Sequence, residues 1–62
     1  MIEFIPLNDR ARNWLDKHIN IDEWQKTRQG VLIDPITWEF SKASLKSRRI
    51  EQYIDFEIKV AW

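Results

Sequence analysis

His18 is the chain's one imidazole and the first residue to test for acid–base or metal chemistry. Asp16, Asp22 and Glu23 are near enough in sequence to orient it. Catalysis needs more: a nucleophile against the imidazole and a third group behind it. Neither a Ser/His/Asp order nor a metal-ligand spacing supplies them. There is no cysteine, and one histidine holds zinc only if carboxylates complete the set. Among carboxylates the closest pairs are Asp22-Glu23 and Asp55/Glu57. Alternate strand positions would set Asp55 and Glu57 about 7 Å apart on one face. That separation suits a hydrolytic pair, but on an open polar face without a cleft the expected role is solvation. Gly30 is the only glycine, so no glycine-rich loop can cradle a phosphate. The expectation is a non-enzymatic chain with no cofactor and no metal. His18 then reads as a helix-end residue beside Leu15, favoured by the helix dipole.

A different chemistry is legible between residues 38 and 53. On a helix advancing about 100° per residue, Trp38, Lys42, Leu45, Lys46, Arg49 and Tyr53 share one flank. Arg48 adds a further cation beside it. A basic stripe with aromatic ends suits docking of a protein, since Trp, Tyr and Arg are preferred interface anchors. It also suits phosphate contacts with base stacking. Ten basic residues balance ten acidic ones, so no global field draws the chain to nucleic acid. The first expectation is therefore a small protein-binding accessory or regulatory module whose partner is not named by the sequence. A nucleic-acid-binding accessory protein using Lys42, Lys46, Arg48 and Arg49 is the alternative.

The elements that must carry these residues come from periodicity. Ile54, Phe56, Ile58, Val60 and Trp62 alternate with Asp55, Glu57, Lys59 and Ala61, which predicts a strand over 53–62 with the first set facing the core. Met1 to Pro6 reads as a first strand, with Ile2 and Phe4 on one face and Glu3 and Ile5 on the other. Ala11, Trp14, Leu15, His18 and Ile19 make an apolar stripe on a helix from Asn8 to Ile19, capped by Asn8 or Asp9 and ended by Asn20. Residues 21–29 lack a period and read as a loop. Gly30, marking a bulge or a close backbone approach, precedes the short apolar run Val31–Ile33, expected as a buried central strand.

Asp34-Pro35 permits two readings. As N-cap and first helical residue they start a long helix to Gln52, with Ile36, Phe40, Ala43, Ile50 and Ile54 inward. Alternatively Ile36, Trp38 and Phe40 alternate as a strand, and Ser41 caps a shorter helix. The long helix is preferred. The resulting architecture is a single domain over 1–62, a small α/β (α+β) fold of order β-α-β-α-β. Its three-stranded sheet carries both helices on one face, because two apolar helix faces need one shared surface.

The run Pro6-Leu7-Asn8-Asp9, then Ala11, then Trp14-Leu15, resembles the opening of short phage-, prophage- and plasmid-encoded proteins of unassigned activity. Gly30 and Val31–Ile33 match the glycine and short aliphatic strand that follow in those proteins. The resemblance covers the first half of the chain. It implies an accessory role on a mobile element and assigns no site residues.

Compartment and assembly are read from what the sequence lacks. No basic segment followed by an apolar run opens the chain, and no run reaches the ~18 apolar residues that span a bilayer. The cytoplasm, with no membrane partner, is the expected setting. A chain of sixty-two residues with no disulfide has a marginal core unless aromatic packing or a second subunit completes it. Four Trp, three Phe and one Tyr provide the packing. Pairing of two C-terminal strands, Glu57 opposite Lys59, would provide a homodimer.

Overall fold

A computed structural model describes residues 1–60. The chain runs β1 (Ile2–Pro6), α1 (Asp9–His18), β2 (Val31–Ile33), α2 (Pro35–Ser47) and β3 (Phe56–Val60). One turn of 3-10 helix, Glu23–Gln25, precedes β2. The strands form one antiparallel sheet in the order β2-β1-β3, and both helices cover the same face. This is the α+β architecture expected from periodicity. Trp62 and Ala61 lie outside the described residues.

The centre of the sheet is β1, not Val31–Ile33. Phe4 and Ile5 point to opposite faces and are both buried, as in a strand flanked on both sides. Phe4 stands in register with Val31 on one side and Ile58 on the other. Its ring stacks on Phe56 at 4.8 Å and lies 5.5 Å from Trp14 and 6.2 Å from Trp38. The outer edge of β2 is occupied by the preceding loop, through a bridge from Lys26 to Val31 and a bond from the Gln25 side-chain Nε2 to the Leu32 carbonyl at 3.1 Å. Gly30 marks a close approach. A Cβ there would sit 1.9 Å from the Phe4 carbonyl oxygen.

Helix α1 is capped as expected: the Asn8 side chain accepts from the Ala11 amide at 3.0 Å. It ends at His18 with Ile19 extended, so Asn20 is not a left-handed terminator. The Trp14 indole donates to Ser44 Oγ at 3.0 Å, which ties α1 to α2.

Residues 36–40 are helical, and α2 starts at Asp34-Pro35 in the expected way. The Asp34 carboxylate accepts from the Ile36 and Thr37 amides and from the Thr37 hydroxyl. These bonds, the Thr37 hydroxyl foremost, hold its pKa below the usual carboxylate value. The helix stops at Ser47, five residues before the expected end at Gln52. Arg49 adopts a left-handed backbone, φ 57°. Its amide donates to the Lys46 carbonyl and that of Ile50 to the Leu45 carbonyl, at 3.1 and 3.0 Å. Those two bonds make a Schellman terminator, sealed by the buried Leu45 and Ile50. No glycine announces it.

Early termination also reverses the helix. Ile50 and Ile54 no longer extend the Ile36/Phe40/Ala43 stripe, and the face that packs is Trp38, Ser41 and Leu45. Ile36 and Phe40 are 71% and 77% exposed, and Ala43 is exposed too.

The C-terminal strand is shorter than its alternation suggests. Residues 53–55 form a turn, Ile54 is exposed, and Asp55 leaves the solvent face. Within β3, Phe56 is buried, Ile58 half-buried and Val60 exposed. This strand is an edge. Leu7 donates to the Asp55 carbonyl at 2.8 Å, so 55, 57 and 59 present their backbone groups to β1. Those of 56, 58 and 60 face outward, and the Phe56 carbonyl already accepts from Tyr53. Ile58 and Val60 are what a second copy would have to pair with.

Candidate functional site

The Schellman turn positions the candidate site. It bends the chain back along the last turns of α2 and on to Phe56, leaving a groove of about 540 Å³. Its floor is Trp38, Leu45, Ile50 and Phe56, all buried. Lys42, Lys46 and Arg49 line it with Glu51 and Gln52. Lys42 is held by Glu39 at 3.0 Å. Among the described residues neither Lys46 nor Arg49 has an ion-pair partner. Arg49 carries its cation on a backbone where a non-glycine residue costs about 1–3 kcal/mol.

Five of the six residues expected on this flank therefore line one groove: Trp38, Lys42, Leu45, Lys46 and Arg49. The sixth, Tyr53, does not, and neither does Arg48, the cation expected beside the flank. Arg48 lines a neighbouring hollow of about 410 Å³, with Arg10, Asn13, Lys17, His18 and Ile50 among its walls. The Arg48 carbonyl accepts a bond from the Arg10 guanidinium. Tyr53 is exposed at φ 72° and belongs to neither lining. Trp38 is part of the floor, 9% exposed, and not an aromatic presented at the surface.

Two site features escaped the sequence. One is the exposed Ile36/Phe40 face of α2, next to which Phe40 helps line a shallow depression with His18 and Ile19. The signal for it was the competing stripe Trp38/Leu45, seven residues apart and equally periodic. The other is Asp55. It is 6% exposed and accepts from the Glu51 amide at 2.8 Å and the Asn8 side-chain amide at 2.7 Å. Its own backbone bonds Glu51 and Leu7, so one residue joins β1, the cap of α1 and the turn before β3. The Glu51 amide first, then Asn8, and Arg10 more remotely, hold its pKa below the usual value. Asp55 is a structural carboxylate, committed to these donors, and forms no open-face pair with Glu57. The cause is the strand start at Phe56, which leaves Asp55 in the turn.

His18 packs its ring 5.7 Å from that of Trp14. Among the described residues no group of three or more His, Asp or Glu residues is placed to hold a metal ion, and no helix is long and apolar enough to cross a membrane. Comparison of the chain with protein-family models, with curated proteins and with solved structures gives no match.

Proposed function

We propose that this protein is a small docking module that holds a segment of another protein by one apolar side chain and neighbouring acidic groups. The observation that carries this reading is the groove beside α2, with an apolar floor and the unpaired cations Lys46 and Arg49 at its edge. Its volume lies within the roughly 300–1,000 Å³ of ordinary ligand sites. Seating one leucine-sized side chain there would contribute about 1.5–3 kcal/mol. Carboxylates on either side of that anchor would meet Lys46 and Arg49 and give the contact its register.

The geometry favours protein over nucleic acid. Base stacking needs an open ring face, and Trp38 and Phe56 are buried in the floor. An accessory role on a mobile element, which the opening residues imply, is compatible with such a module.

The reading is tested with a fluorescein-labelled peptide carrying one leucine flanked by glutamates, titrated by anisotropy. Binding is expected for the native chain and lost in Lys46→Glu/Arg49→Glu with the circular dichroism spectrum unchanged. Equal binding to that variant would remove the groove from consideration. Steeply salt-dependent binding of an oligonucleotide, with none of the peptide, would favour the alternative.

A further inference from the structure

The chain is neutral overall, yet its charge is not evenly spread. Six of its ten lysines and arginines line the two hollows on either side of the α2 terminator: Lys42, Lys46 and Arg49 on one side, Arg10, Lys17 and Arg48 on the other. Glu51 is the one carboxylate in either lining. Ile50 belongs to both, so the hollows meet at its side chain. Cations at a helix C-terminus offset the helix dipole, which accounts for Lys46 and Arg48 on α2 and for Lys17 on α1. Arg10 and Lys17 come from the other helix. Arg10 spends one donor on the Arg48 carbonyl and keeps the rest of its fork, and Lys17 has no ion-pair partner among the described residues. Asn13 adds a neutral amide that can donate to an anion.

We infer that the two hollows form one track, and that the partner segment is acidic on both sides of its apolar anchor. This rests on the docking reading above. The anchor seats on Trp38, Leu45, Ile50 and Phe56. Acidic groups on one side reach Lys46 and Arg49. The segment then crosses Ile50, and acidic groups on its other side reach Arg10, Lys17 and Arg48. Arginine's planar fork matches a carboxylate in two parallel bonds, so Arg48 and Arg10 set the register of the second half. A partner with acidic groups on only one side leaves the second hollow to water.

Three labelled peptides test this by anisotropy: one with glutamates on both sides of a central leucine, and two with glutamates on one side only. The two-sided peptide should bind about five-fold tighter than the better one-sided peptide, the scale of a pair of exposed ion pairs. Lys17→Gln/Arg48→Gln, both exposed positions, should remove most of that gain, weaken the one-sided peptide whose glutamates reach the second hollow, and leave the other one-sided peptide unchanged. A gain that survives the double variant overturns the track while leaving the groove intact. Failure of all three peptides to bind the native chain overturns the groove, and the track with it. A thymidine oligonucleotide of equal charge that binds tighter than the two-sided peptide overturns the assignment of the track to protein.

Discussion

Gly30→Ala isolates the close approach at the centre of the sheet. Gly30 does not have positive φ, so alanine can adopt its backbone without strain. On conformational grounds alone, Gly→Ala should stabilise by about 0.4–1 kcal/mol through the unfolded chain. The tertiary structure reverses the sign. The new Cβ would lie 1.9 Å from the Phe4 carbonyl oxygen, where a carbon–oxygen contact normally needs about 3.3 Å. The start of β2 must therefore retreat from β1 by roughly 1.4 Å, which stretches a hydrogen bond of ordinary length beyond its useful range. One or two ladder bonds near Phe4↔Val31 should fail, at about 1–3 kcal/mol for each buried group left unpaired. After the unfolded-state gain is subtracted, the net loss is about 2–4 kcal/mol. A chain of this length has roughly 3–9 kcal/mol in total. Thermal melts followed by circular dichroism should fall by about 10–30 °C, with urea titration giving the same order. Gln29→Ala, exposed and adjacent, is the control and should stay within about 0.5 kcal/mol. A Gly30→Ala melt at or above that of the native chain would refute the close approach and the strand order built on it.

Trp14→Ala should cost about 3–5 kcal/mol and leave the domain largely unfolded, because the indole packs on Phe4 and bonds Ser44. Phe40→Ala, with its ring in solvent, should change the unfolding free energy from urea titration by no more than about 0.5 kcal/mol; a loss like that of Trp14 would restore the Ile36/Phe40/Ala43 face to the core. Arg49→Gly should raise stability by about 1 kcal/mol by relieving the left-handed backbone, while weakening the leucine–glutamate peptide, so stability and affinity move in opposite directions in one variant. Asp34 and Asp55 both have folded pKa values held below their unfolded ones, so the unfolded chain binds protons first. Their stabilisation is full above about pH 3.9 and is lost as pH falls through the folded values; acid titration should show unfolding in that low range, shallower in Asp55→Asn, and a midpoint unaffected by that substitution would remove Asp55 from its junction.

Local signals pointed to the elements, though not to their ends, and left residues 36–40 open between helix and strand. Asn8 as the cap of α1, Asp34-Pro35 as the start of α2 and the period-two run through Phe56, Ile58 and Val60 act over a few residues. Part of the cationic flank was legible for the same reason, since helical spacing brings Lys42 and Lys46 together, while Arg49 joins them from the terminator.

What the sequence left undecided needed partners distant in the chain. Two apolar stripes on α2 were equally periodic, and Phe4, Phe56 and the terminator chose Trp38/Leu45 over Ile36/Phe40. The terminator itself rests on a positive-φ arginine, which no residue type advertises. Asp55 reads as a solvent-face carboxylate until Asn8, forty-seven residues away, donates to it. Gly30 was visible as punctuation, yet only the Phe4 carbonyl states its purpose. Element type follows from neighbours three or four residues apart. Which face is buried, which strand is central and which polar group becomes structural follow from packing, and packing exists only once the chain has closed on itself.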